Sequence, residues 1–174
     1  MYPPCDTQRL VQFDLEKPRE SIVLSIAQFR PEKNHVLQLE AFRKLIDSGV
    51  SGVKLVLVGS SRNEEDARRV ADLRATAEQL GLAVSRSYSC LFAYSFQNYV
   101  EFAVNATYEQ LLAYLSKASV GIHTMTQEHF GIGIIEYMAA GVIPVAHNSG
   151  GPKMDIIVDY NGKRVGESLS SDYP

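Results

Sequence analysis

The chain has 174 residues, of which 45% are apolar and 21% are charged, a composition typical of one globular domain with a sizeable core. Its 17 Lys and Arg residues and 20 Asp and Glu residues give a net charge of −3, which argues against a nucleic-acid-binding module and against a polybasic membrane patch. The two cysteines, Cys5 and Cys90, are too few for a disulfide framework or a structural zinc site, and no run of about 18 apolar residues predicts a membrane-spanning helix.

Short apolar runs alternate with longer segments of helical periodicity along the chain. Strands are predicted at residues 22–27, 54–58, 99–103, 120–123 and 142–146, with a short sixth strand at 156–158. Helices are predicted between them, at residues 34–47, 64–80, 107–118 and 131–140. This alternation predicts an α/β fold in which a parallel, Rossmann-like sheet carries helices on both faces.

Three segments lie outside this regular pattern. Residues 1–20 are predicted to be a hinge or linker and residues 163–174 an irregular tail, which leaves 21–162 as the domain. Residues 84–98 are rich in Ser and aromatic side chains and lack helical periodicity, although connections between a helix and a strand normally take only a few residues. We predict that 84–98 is an inserted, poorly ordered surface loop, and its aromatic residues leave a membrane- or partner-facing patch as the alternative.

Ligands of parallel sheets bind where the strands end, which directs attention to the loops after the predicted strands. Arg30 and Lys33 follow the first strand at the start of a helix. Two cations beside the free N–H groups of a helix start predict an anion site that suits a diphosphate. The spacing of the two residues leaves open the alternative of two solvated charges on a turn.

A second group of candidate residues follows the fourth strand. Glu128 and Glu136 are eight positions apart, and Gly131 and Gly133 between them permit close backbone approach at a helix start. Glu136 stands among apolar residues, so its carboxylate needs a partner such as a ribose diol, and a solvated glutamate on the helix surface is the alternative. The Gly-x-Gly pattern lacks the third glycine of a dinucleotide-binding loop and is therefore a weak signal for NAD.

The remaining candidates are a turn and four histidines. Residues 149–152, Ser-Gly-Gly-Pro, follow the fifth strand and suit either a tight turn near a ligand or an ordinary turn. None of the histidines has zinc-ligand spacing, so no metal site is predicted. His123 and His147 each end a predicted buried strand, which favours hydrogen-bonded structural roles for both.

Arg30 and Lys33, the pair of glutamates Glu128 and Glu136, and the strand order together resemble the carboxyl-terminal half of retaining GT-B glycosyltransferases. The resemblance is closer to the α-1,2-mannosyltransferases of the dolichol-linked oligosaccharide pathway, and it extends over residues 2–162 apart from the insertion. It is carried by the segments YPPCD, AQFRPEKNH, LVLVGSSRNEED, HTMTQEHFGIGIIEYMAAG and AHNSGGPKMDI.

The resemblance implies that the chain is the donor-binding half of such an enzyme, with GDP-mannose as the donor. Arg30 and Lys33 would hold the diphosphate, and Glu128 would contact the transferred mannose, which makes these three the expected catalytic residues. Glu136 would bind the ribose hydroxyls. The other implied contacts are backbone groups of Phe130, Gly131 and Ile132 with sugar and phosphate, and Gly59 and residues 105–108 beside the nucleotide.

The resemblance also implies the chemistry and the setting of the reaction. Enzymes of this kind need no metal or other cofactor, and they retain the anomeric configuration while the leaving phosphate accepts the proton of the acceptor. The acceptor is a lipid-linked oligosaccharide at the cytosolic face of the endoplasmic reticulum membrane, where association with other mannosyltransferases is expected. The chain starts at what resembles an interdomain hinge, so we expect the acceptor-binding half and the membrane anchor outside it and the isolated chain to be inactive.

Three alternatives stay open at this point. One is a nucleotide-sugar-binding module without catalytic activity, and another is a GT-B glycosyltransferase that uses a different donor. The third, an NAD-dependent Rossmann-like enzyme, is disfavoured because residues 28–33 after the first strand do not form a Gly-rich turn.

Overall fold

The computed structural model describes residues 4–84, 99–160, 163–164 and 167–169. The helices are α1 (His35–Asp47), α2 (Glu64–Gln79), α3 (Tyr108–Leu115) and α4 (Ile132–Ala139). The strands are β1 (Glu20–Ile26), β2 (Lys54–Gly59), β3 (Ala83–Val84), β4 (Tyr99–Val104), β5 (Ala118–His123), β6 (Ile143–His147), β7 (Asp159–Tyr160), β8 (Lys163–Arg164) and β9 (Glu167–Leu169). A 3₁₀ turn at Pro31–Lys33 precedes α1, and a π-helical turn at Pro152–Ile156 follows β6.

The strands form a parallel sheet. Within the described residues the sheet has seven strands in the order β3-β4-β2-β1-β5-β6-β9, and each pair of neighbours is parallel. β7 and β8 form a separate antiparallel pair. The strand order changes direction at β1, which lies between β2 and β5, and ligand crevices open at such points where the strands end. The predicted α/β fold with a parallel sheet is confirmed.

Alternating side chains of β2 contribute to two separate cores, because successive strand residues point to opposite faces of a sheet. Leu55 and Leu57 belong to a core with residues of α1 and α2, namely Leu39, Phe42, Val70, Leu73 and Ala77. Val56 and Val58 belong to a second core with residues in and beside α3 and α4, namely Leu112, Leu115, Tyr137 and Ala140. Helices therefore cover both faces of the sheet, as the sequence predicts.

β5 and α4 meet through a glycine and a tyrosine. The side chain of Tyr137 is fully buried, and its hydroxyl accepts a hydrogen bond of 2.7 Å from the Ile26 N–H in β1. A Cβ on Gly121 would overlap the Tyr137 ring, so a glycine in β5 lets α4 approach the sheet this closely. Burial raises the pKa of Tyr137 above its usual value, which keeps the phenol protonated at physiological pH.

Replacing Gly121 with alanine is expected to lower the free energy of unfolding by about 1–3 kcal/mol, because the new methyl group overpacks the core against the Tyr137 ring. Urea denaturation of the two proteins measures this difference. Gly133→Ala is the matched control, because a Cβ there has its nearest neighbour, the Ile26 carbonyl oxygen, at 3.7 Å and alanine favours the helix. Equal destabilisation by both substitutions would contradict the packing role of Gly121.

The predicted strand at 156–158 is wrong. Pro152–Ile156 forms a π-helical turn, which the Ile157 N–H closes by donating to the Pro152 carbonyl at 2.8 Å. The two consecutive isoleucines are both buried in a small core with Ile134 of α4. Adjacent residues of a strand point to opposite faces, so a strand would not bury both of them in the same core.

The predicted irregular tail at 163–174 is wrong for the two segments in it that the structure describes. Residues 163–164 form β8, and residues 167–169 form β9, which pairs with β6. An open strand edge presents unpaired backbone N–H and C=O groups, and pairing to them requires no side-chain pattern that a sequence would display.

The structure describes most of the predicted hinge or linker, but only the first residue of the predicted loop at 84–98. Residues 4–19, within the predicted hinge or linker, pack against the domain: Leu10 is buried in the core, and Arg9 forms an ion pair with Glu109 of α3 at 3.0 Å. Their action as a hinge stays a prediction. The predicted loop at 84–98 lies outside the described residues except for its first residue, which is the last residue of β3.

Candidate functional site

A cleft of about 660 Å³ opens at the carboxyl-terminal ends of the parallel strands. Its wall is formed by the ends of β1, β2 and β5, the loop after β4, and the segment that leads into α4. The predicted site residues that line it are Lys33, Gly59, Glu128, Phe130, Gly131, Ile132 and Glu136. The fold therefore brings residues from three separate loops into one cleft.

An ion pair stands in the wall of the cleft. The Lys33 Nζ donates to Glu128 Oε2 at 2.7 Å, and only 20% and 16% of the two side chains' surfaces are exposed. Burial opposes ionisation of Glu128, but the hydrogen bond and the charge of Lys33 outweigh it and lower the pKa of Glu128 below its usual value. Glu128 is therefore an ionised carboxylate at neutral pH.

The position of Lys33 depends on a hydrogen-bond network beneath it. Lys33 ends the 3₁₀ turn, and the next residue, Asn34, is in the left-handed conformation with φ 50°. The Thr124 hydroxyl lies 2.8 Å from the Lys33 carbonyl and 3.1 Å from the Asn34 carbonyl, and it accepts a hydrogen bond of 2.8 Å from Gln38 Nε2. Because Thr124 directly follows β5, this network ties the loop that carries Lys33 to the loop that carries Glu128.

The structure adds His123 to the cleft, although the sequence favours a hydrogen-bonded structural role for it. Its Nε2 lies 3.3 Å from Glu128 Oε2 but outside hydrogen-bonding geometry, and it has no hydrogen-bond partner in the part of the chain that the structure describes. Burial, and then the charge of Lys33, lower the pKa of His123, so its imidazole is neutral at physiological pH. Its place at the end of β5 is the signal in the sequence that points to the cleft.

Glu136 lies on the second turn of α4 and lines the cleft. Burial raises the pKa of its carboxyl group above the usual value, which indicates a carboxylate poorly supplied with water. The Cys5 thiol lies within range of this charge: burial, and then Glu136, raise the pKa of Cys5. The role of Glu136 as a ribose ligand stays a prediction.

The start of α4 borders the cleft. Gly131 precedes the helix in the left-handed region with φ 102°, a conformation that glycine adopts without strain. Ile132 and Gly133 are the first helical residues, and the N–H groups of a first helical turn lack partners within the helix. These groups give the cleft a partial positive charge at this point, which suits an anion.

The loops after β2 and β4 meet beside the cleft. A Cβ on Gly59 would overlap the Ala27 carbonyl oxygen, so a side chain has no room there. The Asn105 N–H donates to the Gly59 carbonyl at 2.8 Å, and Asn105 Oδ1 accepts from the Ser61 N–H at 2.8 Å. Asn105 adopts the left-handed conformation with φ 55°, which asparagine tolerates better than most residues, and so joins the two loops of the wall.

Arg30 is the predicted site residue that the structure does not place in the wall of the cleft. Its Nη1 lies 3.7 Å from Glu32 Oε1, and its Nε is buried with no hydrogen-bond partner among the described residues. The backbone explains the difference from Lys33, because Arg30 precedes the 3₁₀ turn in an extended conformation, whereas Lys33 ends the turn. A contact between Arg30 and a phosphate stays a prediction.

Neither a metal-binding cluster nor a membrane-spanning helix occurs in the described ranges. Among these residues, no group of three or more His, Cys, Asp and Glu side chains could hold a metal ion. No helix in the same ranges combines the length and the apolar character that are needed to cross a bilayer.

One family model matches most of the length of the chain. The model of the family described as glycosyl transferases group 1 matches residues 6–170. The chain belongs to this family. All of the cleft residues described above lie within the matched range, residues 6–170.

Curated relatives of the chain include mannosyltransferases. The chain is 44% identical over 179 residues to the GDP-Man:Man(3)GlcNAc(2)-PP-Dol alpha-1,2-mannosyltransferase of Homo sapiens, and the match covers 99% of the chain and 34% of the relative. It is 45% identical over 166 residues to the protein of the same name from Dictyostelium discoideum, with 90% and 30% of the two chains covered. The chain thus spans about a third of the length of the curated relatives that it matches.

Solved structures of glycosyltransferases share the fold. The carboxyl-terminal domain of a glycosyl transferase group 1 family protein from Francisella tularensis superposes with a TM-score of 0.60 at 19% identity, covering 97% of this chain and 78% of that one. The catalytic domain of starch synthase IV from Arabidopsis thaliana, bound to ADP and acarbose, gives a TM-score of 0.59 at 18% identity, covering 94% and 30%. These likenesses support the assignment of a GT-B half-fold.

Proposed function

We propose that this chain forms the donor-binding part of an enzyme that transfers mannose from GDP-mannose, in α-1,2 linkage, to a dolichol-diphosphate-linked oligosaccharide. The observation that carries the proposal is the presence of the Lys33–Glu128 ion pair and of Glu136 in one cleft where the strand order changes direction. The family match and the names of the relatives support the choice of donor and acceptor.

In this proposal the donor lies along the cleft, with its diphosphate between Lys33 and the start of α4. Arg30 supplies a second cation from the same loop. Glu136 accepts hydrogen bonds from the ribose hydroxyls, and a half-buried, poorly hydrated carboxylate gains most from such partners. The surrounding contacts are the backbone of Phe130, Gly131 and Ile132 with sugar and phosphate, and Gly59 and residues 105–108 beside the nucleotide.

The proposed reaction needs no nucleophile from the protein. The acceptor hydroxyl oxygen bonds to the anomeric carbon, the bond from that carbon to the diphosphate breaks, and a diphosphate oxygen takes the hydroxyl proton on the same face, so the configuration is retained. Glu128 contacts the mannose, while Lys33 and the helix start stabilise the negative charge that builds up on the leaving diphosphate. We expect no requirement for a metal ion, and unchanged turnover in excess EDTA, measured on the chain fused to an amino-terminal portion that restores transfer, is the measurement that checks this.

The proposal extends to the setting in which the whole enzyme works. The lipid-linked acceptor would be held by a part of the protein other than this donor cleft, at the cytosolic face of the endoplasmic reticulum membrane. Other mannosyltransferases that act on the same lipid-linked oligosaccharide are the proposed protein partners. The names of the relatives, which specify a dolichol-linked acceptor, support this setting.

Side-by-side calorimetric titration of the chain with GDP, UDP and NAD is the experiment that tests the proposal. We expect GDP to bind most tightly. Tighter binding of UDP would indicate a glycosyltransferase with another donor, and tighter binding of NAD would indicate a dinucleotide-dependent enzyme. A chain that binds GDP, but supports no transfer when joined to an amino-terminal half, would be a nucleotide-sugar-binding module.

Replacing Glu136 with alanine is expected to weaken GDP binding at least about tenfold, because hydrogen bonds to a charged group contribute roughly 1.5–3 kcal/mol. Titration with 2′,3′-dideoxy-GDP isolates the ribose contact. The unchanged chain should bind the dideoxy ligand more weakly than GDP, and Glu136→Ala should bind the two ligands equally, because the carboxylate that distinguishes them is gone.

Glu40→Ala is the matched control for Glu136, because it removes an exposed glutamate from another helix, α1. It should leave the affinity for both ligands unchanged. If Glu136→Ala still prefers GDP over the dideoxy ligand by the full factor, the ribose hydroxyls bind elsewhere in the cleft.

A further inference from the structure

The turn after β6, residues 149–151, packs on the loop that carries Glu128. The Gly151 N–H donates to the Glu128 carbonyl at 2.7 Å. A Cβ on Gly150 would overlap the Glu128 carbonyl oxygen, and a Cβ on Gly151 would lie only 2.5 Å from the His129 carbonyl oxygen. The two segments therefore meet backbone to backbone, at a distance that glycine permits and other residues do not.

Ser149 contributes a side-chain contact to this junction. Its Oγ accepts a hydrogen bond of 2.8 Å from the N–H of Gln127, the residue before Glu128. Gln127 is in the left-handed region with φ 54°, a conformation that residues other than glycine keep when the surrounding contacts hold them there. The same Oγ lies 2.8 Å from His147 Nδ1. When the imidazole carries its proton on Nε2, Nδ1 accepts a hydrogen bond from the hydroxyl, and the oxygen lone pairs are left to the Gln127 N–H.

We propose that Ser149 is a positioning residue for Glu128: its hydroxyl holds Gln127 in the left-handed turn that presents the Glu128 carboxylate to the transferred sugar. The inference rests on the proposed function, in which Glu128 contacts the mannose. In the structure, Lys33 holds the carboxylate of Glu128 directly. A bound diphosphate competes for that lysine, and the backbone contacts from residues 149–151 then keep Glu128 in place.

The proposal predicts that loss of the Ser149 hydroxyl weakens the binding of the sugar and leaves the binding of the nucleotide unchanged. The proposed function assigns Lys33, before α1, to the diphosphate and Glu136, within α4, to the ribose. The Ser149 hydroxyl instead bonds with Gln127 and His147, which lie outside both of these segments. Loss of the hydroxyl therefore reduces the additional affinity that mannose gives to GDP-mannose over GDP. A merely structural role would instead weaken the binding of both ligands together.

Calorimetric titration of GDP and of GDP-mannose into the 174-residue chain and its variants tests the proposal. For Ser149→Ala we expect GDP affinity within about twofold of the unchanged chain and a loss of about five- to tenfold in the affinity ratio of GDP-mannose to GDP, the size of one lost hydrogen bond. Ser149→Thr keeps the hydroxyl and is expected to retain the ratio. Ser116→Ala, which removes an exposed hydroxyl at the end of α3, is the matched control.

Amide hydrogen exchange at Gln127 measures the same contact without a ligand. Its N–H is expected to exchange about tenfold faster in Ser149→Ala and to keep its protection in Ser149→Thr. Unchanged exchange in Ser149→Ala would overturn the proposal, and so would an unchanged affinity ratio or a threonine variant that behaves like the alanine variant.

The outcomes also separate this inference from the proposed function. If the unchanged chain binds GDP but binds GDP-mannose no more tightly than GDP, the positioning of Glu128 is refuted, while the nucleotide part of the proposed function stands. If the unchanged chain binds neither ligand, the proposed function fails, and this inference fails with it.

Discussion

Replacing Lys33 with alanine is expected to weaken GDP binding to the chain at least about thirtyfold, because truncating one partner of a buried charge contact costs roughly 2–5 kcal/mol. Lys33 lies in a mostly buried pair with Glu128, where salt screens charge interactions less than at an exposed surface. Its removal leaves the Glu128 carboxylate unpaired next to the site of the diphosphate, and the two negative charges then repel each other. Calorimetry at constant ionic strength measures the change.

Glu128→Gln is the informative contrast, because it preserves the size of the side chain and removes its charge. We expect GDP to bind this variant as tightly as the unchanged chain or more tightly, since the diphosphate no longer competes with a carboxylate for Lys33. Lys17→Ala, which removes an exposed lysine of the N-terminal segment, should leave the affinity unchanged. Weak GDP binding by Glu128→Gln combined with normal binding by Lys33→Ala would refute the assignment of the diphosphate to Lys33.

The 174-residue chain on its own is expected to transfer no mannose above background from GDP-mannose to a lipid-linked trimannosyl acceptor. Catalysis of this kind depends on holding the acceptor hydroxyl against the anomeric carbon, and such positioning corresponds to about 7–11 kcal/mol of the barrier. Lys33, Glu128 and Glu136, which are proposed to bind the donor, line one cleft at a single edge of the sheet, and the chain spans about a third of the length of its mannosyltransferase relatives. Loss of acceptor positioning should therefore slow turnover by at least about 100,000-fold.

Radiolabelled mannose in the extracted lipid fraction measures this turnover. The same chain should still bind GDP, which separates a loss of acceptor positioning from misfolding. Transfer should recover when the amino-terminal portion of a related mannosyltransferase is fused in front of the chain. Transfer by the chain without that portion would show that the acceptor site lies within these 174 residues.

Local patterns are sufficient to predict most of the fold. Apolar runs that alternate with helical periodicity indicate a parallel sheet with covering helices, and five of the strands and all four helices occur where these patterns lie. The predicted helix at 107–118 occurs as α3, which starts with a capping box between Thr107 and Gln110, two residues only three positions apart. Such features are predictable because they depend on residues close in sequence and on which side chains avoid water.

Two of the elements that the patterns miss have partners distant in sequence. β9 pairs with β6 through backbone groups, which every sequence carries. The π-helical turn at Pro152–Ile156 follows from the burial of two adjacent isoleucines against α4, and an apolar run of that length is compatible with a short strand until its neighbours are known. Both errors arise because short segments take the conformation that their surroundings allow.

Residue types and spacing suffice to select Lys33, Glu128 and Glu136 as candidates. Charged residues that follow a predicted strand, or that interrupt an apolar helix face, can be recognised from the sequence alone. Their partners are not visible in this way. Lys33 meets Glu128 at 2.7 Å although the two residues are 95 positions apart in the sequence, because β1 and β5 are neighbours in the sheet, and His123 reaches the cleft for the same reason. Arg30, only three residues from Lys33, points to Glu32 instead, because the direction of each side chain depends on the turn between them and on what packs beneath it.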